Sequence, residues 1–213
     1  MSPRNFLNEI VKHHPRFGLN EQQDAHDFLE TFIDRLWVHI FKKLFLGKIK
    51  FSRKCLSCPY SSDKLEEFIS LGLPMPSEPT SLDKCFELFF KEEKVTHACP
   101  MCPNQEAILT TSIADLPSVL ILQLKRFSFS SVSGGLKNEN LVKFPINKVL
   151  NLPFSNAQFQ LKGVVNHQGT LNNGHYTAFV KNKEQWILCD DNKVTKTNFV
   201  SSNAGAYILF YER

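Results

Sequence analysis

Apolar residues near the N-terminus recur at the spacing of a helix. Phe6 and Ile10 are four positions apart, and Pro15 then interrupts the series. A second series begins after Asn20, the expected N-cap, and continues to Leu36. Side chains three or four positions apart share one face of a helix, so the pattern predicts mainly helical structure in the first 45 residues.

Farther along the chain the apolar period falls from about four to two, which is typical of strands with one buried face. The apolar stripe around Cys85 is an exception and predicts a short core helix. The polar stretch from Ser128 to Asn140 is expected to be a loop. Strands are predicted at Lys48 to Phe51, Leu116 to Leu124, Gln160 to Val165, His175 to Val180, Trp186 to Asp190 and Tyr207 to Tyr211. Helices followed by an antiparallel sheet predict the α+β fold class.

The composition is that of a folded globular protein, since 42% of the residues are hydrophobic and 22% are charged. The longest apolar stretch is too short to span a bilayer, and polar residues interrupt the segment where a signal peptide would be apolar. We therefore expect no membrane association and an intracellular location, in the nucleus or the cytoplasm. A net charge of +4 is too small to indicate nucleic-acid binding by itself.

Six basic residues lie between Lys42 and Lys54, a segment without acidic residues. Such a segment is most often a solvated face or an edge strand whose charges oppose aggregation. A contact for an acidic partner is the alternative. Nucleic acid is the least favoured of the partners that this segment could bind.

Four of the six cysteines form two C-x-x-C pairs, Cys55 with Cys58 and Cys99 with Cys102. A C-x-x-C turn directs two thiolates toward one point, and two such turns complete the four-sulfur set that Zn²⁺ favours. Disulfides are not expected without a secretory signal. The sequence therefore predicts one structural zinc ion, with a metal-free pair of turns as the alternative.

A predicted hairpin carries the most informative polar residues. If Lys181 to Glu184 form a four-residue turn, His175 lies directly opposite Asp190 on the neighbouring strand. Facing Cβ atoms are about 4.5–5.5 Å apart, so the imidazole could donate a hydrogen bond to the carboxylate. The same register makes Phe179 and Trp186 a facing aromatic pair.

A histidine held by a carboxylate is the base-and-orienter half of a catalytic triad. In that arrangement Asp190 fixes the tautomer of His175, which transfers the proton. A purely structural cross-strand pair is the alternative. Neither remaining cysteine fits as a nucleophile, because Cys85 belongs to the core stripe and Cys189 lies on the opposite face of its strand from Asp190.

Five blocks of the chain resemble, in order, the motifs of the ubiquitin-specific cysteine proteases. The segment from Gln22 to Leu29 is similar to that family's QQDAHEF motif, with Asp27 in place of the usual glutamate. The other blocks are Leu116 to Phe127, Phe144-Pro145, Gly174 to Tyr176 with Trp186 to Asp191, and Ala206 to Tyr211. Within the family, Val165 to Thr170 and Leu116 to Phe127 most resemble the histone-deubiquitinating subfamily attached to the SAGA coactivator.

The resemblance implies a papain-like fold in a single domain, incomplete at its N-terminus. Its parts would be thumb helices in residues 1–45, zinc-ribbon fingers in residues 46–112 and an antiparallel-sheet palm in residues 113–213. The implied reaction is thiol-dependent hydrolysis of the bond after the C-terminal glycine of ubiquitin. The implied partners are ubiquitin, ubiquitinated proteins such as histones, and subunits of an adaptor or coactivator complex.

The resemblance also implies catalytic roles. His175 would be general base and then general acid, Asp190 would orient it, and Asp191 would lie near the developing oxyanion. The family's nucleophile belongs to a G-N-T-C-Y-type box ahead of the QQDAHEF motif, and no such box precedes Gln22. Two classes of function therefore compete: an active deubiquitinase whose nucleophile is supplied elsewhere, and an inactive ubiquitin-binding scaffold.

Substrate contacts are expected at three further residues. Asp24 and Asp27 share one face of a predicted helix and would meet the arginines of ubiquitin's tail through charge-assisted hydrogen bonds. An acidic pair that merely favours the helix dipole is the alternative. Tyr176 would line the channel that holds ubiquitin's tail, with ordinary sheet packing as its alternative.

Overall fold

The computed structural model describes residues 3–18, 22–35, 43–130, 134–152, 155–171, 173–198 and 204–213. Its helices are α1 (Pro3–His13), a short 3₁₀ helix (Pro15–Phe17), α2 (Ala25–Arg35) and α3 (Leu82–Phe89). Its strands are β1 (Gly47–Cys55), β2 (Ser61–Phe68), β3 (Ser70–Leu73), β4 (Thr80–Ser81), β5 (Glu93–Thr96), β6 (Glu106–Asp115), β7 (Val119–Leu124), β8 (Phe127–Ser130), β9 (Gly134–Lys137), β10 (Val142–Lys143), β11 (Leu150–Asn151), β12 (Gln158–Gly169), β13 (Gly174–Asn182), β14 (Gln185–Asp190), β15 (Lys193–Thr197) and β16 (Ala206–Glu212). The fold is mixed α+β, as predicted.

The start of α2 is held by a carboxylate. Asp24 Oδ1 accepts hydrogen bonds from the backbone N–H groups of His26, at 2.7 Å, and Asp27, at 3.1 Å. Asp24 is therefore the N-cap, although the sequence pattern placed it inside the helix. The predicted cap Asn20 and the predicted end Leu36 lie outside the described residues. None of the described helices is long and apolar enough to cross a membrane.

A four-stranded antiparallel sheet has the strand order β2-β1-β6-β5. Because β1 has a neighbour on each side, the interpretation of the basic segment as an edge strand is wrong. Charges on β1 are instead offset across the ladder, as where Lys50 Nζ lies 3.2 Å from Asp63 Oδ2 on β2. The sequence pattern missed β2, because most of its side chains are exposed and polar and leave no apolar alternation to detect.

The larger sheet has eight strands in the order β15-β14-β13-β12-β16-β7-β3, with β11 paired beside β12. Its described pairs are antiparallel except β3 with β7, which run parallel. The expected all-antiparallel sheet is thus interrupted at one pair. The predicted strands within β7, β12, β13, β14 and β16 are present, whereas the exposed β15 was missed.

The larger sheet buries apolar side chains on both faces. On β7 the alternate residues Leu120, Leu122 and Leu124 are fully buried in one cluster with Cys85 and Phe86 of α3. On the opposite face a smaller cluster joins the sheet to α2. The predicted core helix around Cys85 is therefore correct, and the buried strand predicted from Leu116 to Leu124 is present but begins at Val119.

A buried guanidinium holds the segment after β7. Arg126 is 1% exposed, and its Nη1 donates to the backbone carbonyls of Asn138, at 2.8 Å, and Asn140, at 2.9 Å. The predicted loop from Ser128 to Asn140 is only partly a loop, because β8 and β9 pair within it. Glycine and serine residues in these strands hide the apolar alternation that would have indicated a hairpin.

Candidate functional site

The hairpin of β13 and β14 has a different register from the one that the sequence predicted. Asn182 pairs with Gln185, so the turn has two residues rather than four. Lys183 adopts a left-handed φ of 53°, which suits a tight two-residue hairpin turn. As a result the predicted facing pair is wrong, because Phe179 faces Leu188 and Trp186 faces Lys181.

His175 and Asp190 nevertheless meet. The pairs of β13 with β14 end at Ala178 with Cys189, so continued pairing would put Asp190 opposite Thr177 and not His175. A shift of two residues keeps both side chains on one face, and diagonal neighbours remain within reach of long side chains. His175 Nε2 lies 2.6 Å from Asp190 Oδ1. The directly opposite placement is wrong, but the hydrogen-bonded pair is present.

The chemistry of the pair follows from this contact. An ionised carboxylate can only accept, so Nε2 of His175 carries the proton and Nδ1 is the nitrogen left for proton transfer. The hydrogen bond to Asp190 raises the pKa of the imidazole above its ordinary value, and the negative charges of Asp190 and Asp191 act in the same direction. Asp191 has a left-handed φ of 48° in the turn after β14. One nitrogen or oxygen atom from each of His175, Asp190 and Asp191 lies within 4.8 Å of the other two.

A pocket of about 690 Å³ adjoins the pair. Its lining includes His175 and Asp190 together with Asn166, His167 and Leu188. None of the described cysteines lines it. Cys85 is fully buried in the core, where burial raises the pKa of its thiol to about 11.

The two acidic residues predicted for substrate binding have intramolecular partners. Asp24 Oδ2 accepts a hydrogen bond from the hydroxyl of Tyr207 at 2.7 Å, in addition to capping α2 with its other oxygen. Asp27 Oδ1 accepts from Arg16 Nη2 at 2.9 Å. Asp24 therefore joins α2 to the sheet, whereas Asp27 remains at the surface in an exposed ion pair.

Tyr176 is half-buried between two rings. Its ring centroid lies 4.7 Å from that of His167 and 6.3 Å from that of Tyr207. Burial raises the pKa of the Tyr176 hydroxyl to about 12. These are the contacts of ordinary sheet packing, so a role of Tyr176 in substrate binding stays a prediction.

An acidic pocket that the sequence reasoning missed lies beside α2. Its volume is about 570 Å³, and its lining includes the carboxylates of Asp27, Glu30, Asp34 and Glu67. No lysine or arginine is among the described residues that line it. Three of the four carboxylates lie on α2 at positions i, i+3 and i+7, a helical spacing that could have revealed the pocket.

The two C-x-x-C pairs converge at the end of the four-stranded sheet. Cys55 ends β1 opposite Ala107 of β6, and the second pair directly precedes β6, so strand pairing brings the two turns together. The sulfurs of Cys55 and Cys102 lie 3.6 Å apart, as do those of Cys58 and Cys99. All four sulfurs lie within 4.8 Å of one another. Disulfide sulfurs would be about 2.05 Å apart, so these four cysteines are free thiols.

The four sulfur positions fit a tetrahedral metal ion. Zn–S bonds of about 2.3 Å place tetrahedral sulfurs about 3.8 Å apart, close to the observed separations. Backbone N–H groups point at the sulfurs, as from Ser57 to Cys55 and from Met101 to Cys99, each at 3.4 Å. The hydrogen bond from Ser57, helped by the amide of Asn104, lowers the pKa of Cys55 to about 6, whereas burial and the neighbouring cysteines raise the pKa of Cys58.

Comparison with known proteins gives a consistent result. The model of the family described as "Ubiquitin carboxyl-terminal hydrolase" matches residues 1–211. The probable ubiquitin carboxyl-terminal hydrolase 8 of Schizosaccharomyces pombe is 30% identical over 204 residues, which cover 89% of this chain and 45% of the relative. Ubiquitin carboxyl-terminal hydrolase 2 of Gallus gallus is 30% identical over 268 residues, which cover 100% of this chain and 74% of the relative. The chain spans about half the length of most of the curated relatives that it matches.

Solved structures give the same assignment. The SAGA Ubp8/Sgf11/Sus1/Sgf73 DUB module bound to ubiquitin aldehyde superposes with a TM-score of 0.84 at 27% identity. The match covers 97% of this chain and 52% of that chain. The same module with a substituted Ubp8, bound to monoubiquitin, also superposes with a TM-score of 0.84, at 29% identity.

Proposed function

Since this chain belongs to the ubiquitin carboxyl-terminal hydrolase family, we propose that it supplies the proton-transfer half of a thiol-dependent deubiquitinase site. The bond broken is the one after the C-terminal glycine of ubiquitin. The observation that carries the proposal is the 2.6 Å contact between His175 Nε2 and Asp190 Oδ1 in a surface pocket. A histidine so held is ready to exchange a proton through its other ring nitrogen.

The proposed reaction has two steps. Nδ1 of His175 takes the proton of a cysteine thiol, and the thiolate attacks the carbonyl carbon of ubiquitin's last glycine. His175 then protonates the departing amine, which leaves ubiquitin bound as a thioester. In the second step His175 removes a proton from water, which attacks the thioester and releases ubiquitin and the thiol. Asp190 would stabilise the imidazolium throughout, and Asp191 would be an auxiliary polar group near the developing oxyanion.

We propose that the attacking thiol comes from a segment outside these 213 residues. Support comes from the pocket beside His175, whose described lining contains no cysteine. Four of the six cysteines form the cluster at the end of the smaller sheet, and the core holds Cys85. Cys189 neighbours Asp190 on a strand, and alternation turns its side chain to the other face.

Substrate recognition is proposed for the acidic pocket beside α2. The arginines in ubiquitin's tail would find several carboxylates there, and Asp27 is the member that the family resemblance also indicates. Asp24 would contribute by holding α2 in place, because both of its oxygens already accept internal hydrogen bonds. Tyr176 would support the same channel from within the sheet.

The cysteine cluster is proposed to hold one structural Zn²⁺ ion. Cys55, Cys58, Cys99 and Cys102 would be its ligands, and a closed four-sulfur site supplies structural cross-linking, not catalysis. The proposed partners are ubiquitin, ubiquitinated proteins such as histones, and coactivator-complex subunits. They are suggested by the ubiquitin and the Sgf11, Sus1 and Sgf73 subunits in the names of the similar structures. A location in the nucleus or the cytoplasm would suit these partners.

The test compares this chain with the longest natural polypeptide that contains it, using a fluorogenic amide of ubiquitin's C-terminus. We expect turnover by the longer polypeptide, lowered at least about 1000-fold by His175→Ala because the proton carrier is lost. Cys189→Ser is the matched control and should retain activity. The 213-residue chain alone should bind ubiquitin without turnover. Turnover that survives His175→Ala would contradict the proposal.

An inactive ubiquitin-binding scaffold is the second candidate function. It is favoured by the same described pocket lining, which offers a base but no thiol. Ubiquitin binding without turnover by every natural polypeptide that contains these residues would establish it in place of the hydrolase.

A further inference from the structure

Gln22 connects the helical part of the chain to the strand that carries His175. It lies three positions before α2, and its side-chain amide reaches the start of β13. Gln22 Oε1 accepts a hydrogen bond from the backbone N–H of Gly174 at 2.8 Å, and Gln22 Nε2 donates to Asn173 Oδ1 at 2.9 Å. Both halves of one amide are therefore used at the residues directly before His175.

The segment that Gln22 holds lacks support on one side. The ladder between β13 and β14 ends at Ala178, three residues after His175. Beyond that point β12 is the only described strand that pairs with β13, and Gln168 lies opposite His175. On the side facing Asp190, the position of His175 depends on side-chain contacts and on the contacts that hold Gly174, the first residue of β13.

The residue at position 174 cannot itself carry an anchoring side chain. A Cβ atom on Gly174 would lie 2.1 Å from His167 Nε2 and 2.6 Å from the carbonyl oxygen of Gln168. Such separations are far below van der Waals contact, so this position requires glycine. Besides the pairing of Gly174 with Gly169 on β12, its backbone is held by the amide of Gln22.

We propose that Gln22 is a positioning residue: its amide clamps the first residue of β13 and thereby keeps His175 in contact with Asp190. Gln22 does not touch the reacting atoms in this arrangement. It acts through the backbone of Gly174, one peptide unit from the histidine. The inference rests on the proposed function for its catalytic consequence, whereas the clamp itself can be measured without any activity.

The first experiment uses this chain and measures the pKa of His175 by NMR titration of its ring resonances. Gln22→Met keeps the size of the side chain but removes both hydrogen bonds, and Asp190→Asn shows the value without the carboxylate. We expect Gln22→Met to lower the His175 pKa from its raised wild-type value toward the Asn variant's value, because the contact is populated less. Gln160→Met, at an exposed glutamine near the other end of β12, should leave the pKa unchanged.

The outcomes separate the clamp from the proposed function. A wild-type pKa in Gln22→Met, together with a lowered one in Asp190→Asn, would overturn the clamp and leave the His–Asp pair intact. An unchanged pKa in Asp190→Asn would instead overturn the pair on which the function rests. If Gln22→Met does not fold, Gln22→Ala serves in its place: faster hydrogen exchange at the backbone N–H of Gly174, which loses its acceptor, supports the clamp, and unchanged exchange overturns it.

A second readout applies to the active longer polypeptide. Misplacement of a catalytic group by about 1 Å can cost on the order of 100-fold in rate. We expect Gln22→Met to lower kcat about 10- to 100-fold with KM changed less than about twofold, and to shift the acidic limb of the pH–rate profile downward. A raised KM with unchanged kcat would overturn the positioning role.

Discussion

The eight-stranded sheet and the four-stranded sheet are stabilised in different ways. In the eight-stranded sheet, the single strand β7 contributes four completely buried residues, Leu120, Ile121, Leu122 and Leu124. The four-stranded sheet has few buried apolar residues in its described strands, and Leu65 on β2 is 60% exposed. Apolar burial stabilises the first sheet, whereas the proposed zinc ion would stabilise the second by cross-linking it at the end where its cysteines converge.

The difference extends to the two candidate sites. The cysteine cluster is built from two short turns whose spacing is local, so the strands have only to bring the turns together. The His175–Asp190 pair depends on the register of a hairpin, on its turn and on the tether at Gly174. A site made of local motifs can be predicted even when the long-range structure is predicted wrongly. The prediction of a site between strands is correct only if the pairing of the strands is also correct.

The largest effect is expected from breaking the cysteine cluster. Cys99→Ser should release one zinc ion per chain and destabilise the four-stranded sheet locally, because structural zinc contributes about 10–16 kcal/mol of apparent binding free energy in zinc-finger peptides. Metal analysis of the purified protein and amide hydrogen exchange in β1 and β6 measure the two effects. Cys189→Ser, outside the cluster, should keep the metal. Zero zinc in freshly purified wild-type protein would contradict the prediction.

A smaller effect is expected from truncating a core leucine. Leu122→Ala should lower the free energy of unfolding by about 2–5 kcal/mol, because a fully buried side chain leaves a cavity. Leu65→Ala is the matched control on the smaller sheet and should change it by less than about 0.5 kcal/mol. Urea unfolding monitored by fluorescence measures both. Equal costs at the two positions would show that the sheets do not differ in this way.

The smallest effect is expected from the exposed His175–Asp190 pair and depends on pH. The pKa of His175 is raised in the folded protein, so its protonated form is favoured by folding. This contribution is complete below the unfolded-state pKa of about 6.5 and disappears as the pH rises through the folded-state pKa. Wild-type protein should therefore exceed Asp190→Asn in stability most at about pH 5.5 and least at about pH 8. Denaturant titrations at several pH values measure this, and a difference that grows with pH would contradict it.

Several elements could be predicted because their signals are local. The alternation in β7, the helical stripe of α3 and the spacing of the C-x-x-C pairs each follow from residues within a few positions of one another. The polar strands β2 and β15 were missed because backbone pairing with neighbours, not apolar burial, makes them strands. The predicted hairpin register was wrong because Lys183 adopts a left-handed conformation, which is uncommon for a lysine and could not be read from the sequence.

The face of each strand on which His175 and Asp190 lie follows from the residue pattern alone, because side-chain alternation has a period of two and is unchanged by a register shift of two. The local motifs likewise identify the family and the four cysteines that cluster in the fold. The folded structure was needed to show which nitrogen of His175 meets Asp190, that Asp24 is used within the fold, and that Gln22 reaches Gly174 across about 150 residues. Those contacts join segments that are distant along the chain, and no local pattern encodes the distance between them.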